Sequence, residues 1–340
     1  MKRISVVILN WNGVEMLRRY LPSVLSFSPE ADVIVADNNS TDESVTVLRT
    51  SFPDVRIIEL DRNYGFAEGY NRALRNIDTE YYVLLNSDVR VVEGWLEPML
   101  SYLDTHPKVA ACQPKLRCDW SPEKLEYAGA AGGYIDRLGY PFCRGRIMNS
   151  NEKDEGQYDQ VATIAWASGA ALFIRSKAYW EVGGLDGRFF AHQEEIDLCW
   201  RLRSRGYDII CQPESVVYHY GGGTLPKESP RKTYLNFRNN LLLIYKNMPD
   251  ECLTSVMWWR LLLDLVAALQ FFLLGKLGSG CAVFRARRDF RTMRARFYRD
   301  RKLNQMLSVT PVEQIVSPYA ILWQYFVRGR RTFSALPKRK

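Results

Sequence analysis

A chain of 340 residues with 47% hydrophobic and 25% charged residues is ordinary for a folded protein and long enough to bury a sizeable core. The net charge of +8 is held unevenly: 15 Lys and Arg face 3 Asp and Glu from residue 280 onward, leaving 31 against 35 before it. Seven cysteines, an odd number without paired ligand spacing, exclude a disulfide frame or a zinc site and read as reduced thiols of a cytosolic protein.

The chain opens on Met1-Lys2-Arg3 and runs directly into the apolar stretch Ile4–Leu9, with no signal-peptide pattern. That strand ends in Asn10-Trp11-Asn12-Gly13, and a helical spacing follows through Leu17, Leu21, Val24 and Leu25. Val33–Ala36 predicts a second strand ending in Asp37-Asn38-Asn39-Ser40, where Ser40 and Glu43 read as a capping box for the next helix. Val55–Leu60 predicts a third, followed by Asp61-Arg62-Asn63-Tyr64-Gly65 and a helix. Tyr81–Leu85 predicts a fourth, ending in Asn86-Ser87-Asp88. Strands alternating with helices mean an α/β fold with a mostly parallel sheet, whose ligands bind beyond the carboxyl ends of the strands. The polar clusters all follow strands and should converge on one rim. Neither of the two common glycine-rich phosphate loops is present, which sets ordinary dinucleotide and P-loop readings aside.

From Val109 to Arg175 the pattern thins into a long irregular region marked by Gly129, Gly132, Gly133, Gly139 and Pro141. Ala167-Ser168-Gly169-Ala170-Ala171 then reads as a turn entering a strand. Its small residues either let a substrate approach the backbone or simply pack tightly. Phe189 to Arg203 holds three carboxylates within four residues, Glu194, Glu195 and Asp197, at the start of a helix with Ile196, Cys199 and Trp200 on one side and Arg201 and Arg203 on the other. Acidic capping with an Asp197–Arg201 pair is one reading; a catalytic cluster is the other. Strands at Asp208–Cys211 and Val216–Tyr218 follow, then His219 and the glycines at 221–223, and Ser229-Pro230 opens a helix through Leu243.

Trp258–Phe284 is strongly apolar, and its run from Trp258 to Lys276 nearly meets the roughly 20-residue length of a spanning helix; Asp264 within it argues for attachment to one leaflet instead, a buried helical hairpin being the other reading. The nine basic residues between Arg285 and Lys302 alternate with Phe284, Phe290, Phe297 and Tyr298, a composition suited to an anionic membrane surface. No nucleic-acid recognition module accompanies the charge, so nucleic acid is set aside.

A strand-end aspartate such as Asp88 suits a divalent ion carrying a diphosphate, and His219 is a second ligand candidate favouring Mn²⁺, or else a turn residue. Asp37-Asn38 offers groups for a pyrimidine edge and ribose, or forms a turn. Val6–Gly13, Asp37–Asp42, Arg62–Asn71, Leu84–Asp88 and Phe189–Arg201, in this order, resemble the family 2 glycosyltransferases with the GT-A fold, in particular the bacterial rhamnosyltransferase-like branch. The resemblance covers residues 4–247. It implies a GT-A domain over 1–247 and a helical membrane-associating region over 248–340.

By the same resemblance, Asn10, Asn12, Asp37, Asn38, Arg62, Asn63, Gly65, Asn71, Asn86 and Asp88 bind the donor. Asp88 and His219 hold Mg²⁺ or Mn²⁺, and Gly169, Ala170, His192 and Asp197 lie on the acceptor side. Glu195, with Glu194 beside it, supplies the base. Asn86 stands where the family's full metal motif has an acid, and Glu194-Glu195 where it has Glu-Asp. The implied reaction is inverting transfer of a sugar, rhamnose being the one the branch suggests, from a nucleoside-diphosphate donor to a glycan hydroxyl. The acceptor is a lipid-linked glycan for cell-surface polysaccharide, met at the cytoplasmic face of the plasma membrane by a peripheral or monotopic enzyme. The alternatives are a sugar nucleotidyltransferase, which should carry a glycine-rich N-terminal loop, and an inactive membrane-bound scaffold of the same fold.

Overall fold

A computed structural model describes residues 2–221 and 229–337; glycines 222 and 223, expected in a turn, lie outside them. β1 (Ile4–Asn10) pairs in parallel with β2 (Ala31–Asp37) and β4 (Tyr81–Asn86), and β2 with β3 (Arg56–Glu59). Alternation along these strands separates two cores. Val7, Tyr82 and Leu84 pack with Tyr70 and Leu74 of α3 (Gly65–Leu74). Val6, Ile8, Val83 and Leu85 pack on the other face with Leu17, Leu21 and Val24 of α1 (Val14–Ser26). The rim formed by the ends of β1, β2 and β4 is thereby fixed. The capping box is not formed: α2 (Ser44–Ser51) begins after Glu43, and the Ser40 hydroxyl donates to Asp37 instead.

Residues 109–175 are more regular than their composition suggests. After β5 (Val89–Val91) and α4 (Glu97–Thr105), β6 (Val109–Cys118) is a long buried strand paired with β7 (Ser121–Leu125). A second small sheet holds β8 (Gly133–Asp136), β9 (Pro141–Cys143), β10 (Arg146–Ile147) and β11 (Ser150–Asn151). The main sheet then takes up β12 (Ala162–Thr163) and β13 (Ala171–Arg175), and β13 runs antiparallel to both β4 and β6. After α5 (Ser176–Glu181) and α6 (Glu194–Ser204), the two short strands expected at 208–218 are one, β14 (Asp208–His219). It pairs in parallel with β6 through a register shift between Gln212 and Val216.

α7 (Pro230–Asn247) starts as expected, with the Ser229 hydroxyl accepting from the Lys232 amide. The long apolar stretch is divided at Gly275, whose φ of +71 turns the chain between α8 (Asp250–Leu273) and α9 (Leu277–Met293). The C-terminal part packs back on the body. Phe290 and Phe297 are buried, α10 (Tyr298–Met306) lies against α7, and β15 (Val316–Ser317) pairs in parallel with β8. Part of the basic charge is consequently internal, since Arg287 pairs with Asp264 and Arg301 with Asp250.

Candidate active site

The rim of the main sheet opens into a cavity of about 1940 Å³. Of the strand-end residues, Asn12, Asn38, Asn63, Gly65, Asn86 and Asp88 line it. Asn38 is a buried junction: its amide donates to the Gly65 carbonyl at 3.0 Å and the Asn63 side chain at 3.2 Å, while its oxygen accepts from the Tyr64 amide at 2.9 Å. Gly65, at φ +75, lies so close to Phe190 that a Cβ would meet its ring at 2.5 Å. Four expected donor residues do not reach the cavity wall. Asn10 and Asp37 are buried beneath the rim, joined at 3.0 Å and tied to Ser40. Asn71 is buried against the 185 loop, donating to the Leu185 carbonyl at 2.6 Å and accepting from the Tyr179 hydroxyl at 2.7 Å. Arg62 lies over the Tyr64 ring at 4.6 Å.

Asp88 and His219 meet as β4 and β14 end on the same rim. His219 Nε2 lies 3.1 Å from Asp88 Oδ1, and its Nδ1 lies 3.2 Å from Glu126 Oε1. Burial works against charge on the ring, but Glu126 and Asp88 outweigh it and push the imidazole up to about 10. Glu126 carried no signal in the sequence, because it sits in the irregular stretch after β7 and only the β6–β7 pairing delivers it here. Asp88 and His219 are the residues that would hold a divalent ion here, the imidazole giving up the proton it shares with Asp88; Glu126 behind the ring is the kind of partner that orients a ligating imidazole.

Across the cavity, α6 presents Glu194 and Glu195 at its first turn. No side chain caps this helix; Gln193 at its N-cap is left-handed, with φ 75. Phe190 and His192 are left-handed as well, φ 68 and 71, and such residues cost roughly 1–2 kcal/mol each. α7 and α3 hold the run in place. Asn239 donates to the carbonyls of Phe189, Ala191 and His192 at 3.0, 2.8 and 2.7 Å, and the Phe190 carbonyl accepts from the Phe66 amide at 2.7 Å. Asn240 donates to Gln193 Oε1 at 3.1 Å. Nothing in the sequence around Asn239 marks it, since its partners lie some 47–50 residues earlier in the chain.

Glu195 is half-buried opposite Gly169, whose added Cβ would come within 3.7 Å of its own. Burial pushes its carboxyl up to about 7, against the pull of backbone amides at the helix start. Glu194 is buried more deeply, and burial together with neighbouring Glu195 raises it well above the usual range. Among the described residues neither Oε2 has a hydrogen-bonding partner. His192 also lines the cavity, pushed down to about 4 by burial and by Lys232. Gly169 and Ala170 form the wall beside Glu195.

Asp197 is placed elsewhere. It points away from the cavity into the body, fully buried, bonded by Arg201 at 2.9 Å, Lys246 at 2.8 Å and Asn247 at 2.8 Å. Burial alone would raise its carboxyl, yet these cations hold it below the usual range. The acceptor-side assignment for Asp197 is corrected to a structural one. Arg201 and Arg203, on the side of α6 away from Ile196, Cys199 and Trp200, are buried too.

The chain matches the description "Glycosyl transferase family 2" over residues 5–181. It belongs to that family. It is 26% identical over 236 residues to an N-acetylglucosaminyl-diphospho-decaprenol L-rhamnosyltransferase of Mycobacterium tuberculosis, covering 64% of this chain and 76% of the relative. Among solved structures, the TarS 1–349 fragment from S. aureus superposes with a TM-score of 0.57 at 15% identity, covering 97% of this chain and 88% of that one. GalNAc-T7, crystallised with UDP, GalNAc and Mn²⁺, superposes with a TM-score of 0.56 at 15% identity over 72% of this chain; the match spans about half, 48%, of that chain. The fold is therefore GT-A, and the protein is a glycosyltransferase.

Proposed function

We propose that this glycosyltransferase moves a hexose, L-rhamnose being the first to test, from a nucleoside-diphosphate sugar to a hydroxyl of a lipid-linked glycan, with inversion. The observation that carries the reading is a single cavity lined by Asp88 and His219 and by Glu195, whose carboxyl is raised and whose Oε2 has no partner among the described residues. The M. tuberculosis relative, named for a lipid-diphosphate acceptor, supports the acceptor class. Asp88 and His219 would hold Mg²⁺ or Mn²⁺, which when bound supplies positive charge for the leaving diphosphate. Asn12, Asn38 and Asn63 line the path for the nucleotide, while Asn10 and Asp37 brace it from beneath.

Glu195 accepts the proton of the acceptor hydroxyl as that oxygen bonds to the anomeric carbon. The anomeric carbon–oxygen bond to the diphosphate breaks on the opposite face, and the electron pair leaves with the nucleoside diphosphate. Glu194 is held protonated by its burial and is the poorer base. Residues 1–247 are assigned the chemistry and 248–340 the contact with the cytoplasmic leaflet. α8 supports this assignment, being long and apolar enough to cross a membrane while burying Asp264 against Arg287 on its inner side. That inner polar face favours monotopic attachment over a span. A thermal-shift screen of nucleotide sugars with and without Mn²⁺ tests the reading. A bound donor stabilises by RT ln(1 + [L]/Kd), and the shift should vanish in Asp88→Asn. If no nucleotide sugar stabilises the wild-type protein, the reading is wrong.

A further inference from the structure

The cavity is larger than its proposed donor requires. Ligand sites commonly measure about 300–1,000 Å³, and a cavity of about 1940 Å³ leaves roughly as much room again. Much of its lining is apolar. α8 contributes Trp259, Leu263 and Val266, a stripe at i, i+4 and i+7. Leu322, Trp323 and Phe326 of the C-terminal segment line the same cavity. These side chains are not packed away: Val266 is 63% exposed and Phe326 65% exposed. Apolar surface of this kind, continuous with a reaction site, is a binding feature rather than ordinary surface.

The same cavity wall carries cations. Arg137 and Arg231 are exposed at the cavity, and Arg146 lies 3.6 Å over the Tyr127 ring. Arg231 stands 5.6 Å over Phe190, the residue that leads into the Glu195 loop. Among the described residues the Arg137 guanidinium has no ion-pair partner. Arginine forks suit phosphate oxygens. Base, cations and an apolar groove thus line one cavity.

We infer that the groove between α8 and the C-terminal segment holds the lipid chain of a lipid-diphosphate acceptor, with Arg137, Arg146 and Arg231 receiving the diphosphate, so that the glycan hydroxyl is presented to Glu195. This rests on the glycosyltransferase reading above and adds to it the acceptor subsite. The apolar groove belongs to the same cavity as Glu195, and the cations of that cavity complement a diphosphate. Both features single out the acceptor's own chain over bulk bilayer lipid.

The test uses the full chain in detergent, without divalent metal, and tryptophan fluorescence as the readout because Trp259 and Trp323 line the groove. Geranyl diphosphate, geranylgeranyl diphosphate and inorganic pyrophosphate are titrated in turn. Geranylgeranyl diphosphate should bind at least about tenfold more tightly than geranyl diphosphate, since each buried methylene contributes severalfold. Val266→Asp and Phe326→Asp, both at exposed positions and so compatible with folding, should erase that ratio and leave pyrophosphate binding unchanged. Arg137→Ala should weaken all three ligands and keep the ratio. Equal affinity for the two lipids in the wild type overturns the proposal. So does a ratio that survives both groove substitutions, and so do variants that lose only binding to phospholipid vesicles, which would make the groove a bilayer contact. Binding of UDP and dTDP with Mn²⁺ is measured in parallel. Its absence overturns the glycosyltransferase reading itself, whereas nucleotide binding without chain-length dependence removes only the groove.

Discussion

α6 and α8 invert the usual relation between polarity and burial. α6 holds Glu194, Glu195, Asp197, Arg201 and Arg203 within ten residues, and lies almost wholly buried. α8 is the most apolar helix of the chain, yet Trp258, Leu262, Leu265, Leu269 and Leu273 are exposed while Arg260 and Asp264 are inside. The first is tolerable because its charges are paired, Asp197 with Arg201 and Lys246, so that few are left to suffer desolvation alone. Glu194 and Glu195 are the exception, and they are the ones on the cavity. The second is tolerable only if something apolar covers its outer face. The proposed chemistry rests on the carboxyls left without partners at the cavity, and the proposed membrane contact on the apolar surface left uncovered outside. Arg260 links them: it bonds Asn240, which in turn bonds Gln193 at the foot of the Glu195 loop.

The largest expected effect comes from the far side of the cavity. Asp88→Asn should abolish transfer and remove the metal dependence of nucleoside-diphosphate binding, because a site with one strand-end carboxylate has no other acid from this motif to replace it. Full activity of the wild type in EDTA would sink the metal assignment. Next, Glu195→Gln should lower transfer by about 10²–10⁴ at nearly unchanged donor affinity. Glu195 must be unprotonated to act. With its carboxyl at about 7, kcat/KM should climb as pH rises through that value and level off above it. Glu194→Gln should do less and leave the midpoint in place. A profile flat from pH 5 to 9 would remove Glu195 from the role; if Glu194→Gln is the dead variant, the base is one residue earlier.

Asn239 probes how the α6 turn is held. Asn239→Ala removes the donor to the Ala191 and His192 carbonyls, while Phe189 keeps Arg238 as a donor, and costs about 1–3 kcal/mol of stability. A purely structural residue would lower Tm and leave the pH midpoint near 7. As a positioning residue Asn239 should also shift that midpoint and lower kcat about tenfold with donor KM unchanged, since small displacements of a base are costly.

The strand-end residues were legible because their signals are local. Apolar runs with two-residue alternation stop at Asn, Asp and Gly, and the GT-A rim follows from where those runs end. Asp37 shows the limit of that reading, for a strand-end position does not reveal whether a side chain faces the cavity or braces the loop beneath it. Glu126 was hidden because its place depends on the β6–β7 pairing. The Asp197–Arg201 pair was visible as an i,i+4 spacing, but Lys246 from α7 decides that this face is buried, and its separation in sequence leaves no local trace. The joining of β15 to β8 was unreadable for the same reason.

The smallest expected effect on chemistry comes from the outer face of α8. Leu262, Leu265, Leu269 and Leu273 fall on a stripe distinct from the one that lines the cavity, and Leu269 is 56% and Leu273 79% exposed. Because these side chains have no packed partners to lose, Leu265→Glu with Leu269→Glu should leave Tm within about 0.5 kcal/mol of wild type in free-energy terms. Nucleotide binding should also stay unchanged. Sedimentation with anionic vesicles should fall strongly, since the stripe supplies the apolar area and a charge at bilayer depth costs about 2.5–3.5 kcal/mol. High salt separates the two contributions to attachment. It screens the basic residues of α9 and α10 within about 10 Å at 0.1 M but leaves the apolar stripe untouched. Wild type should therefore stay on vesicles in high salt, and the double variant should leave them. If the wild type is released by salt alone, the basic surface carries the attachment, and the exposed stripe of α8 must be covered by a partner other than the bilayer.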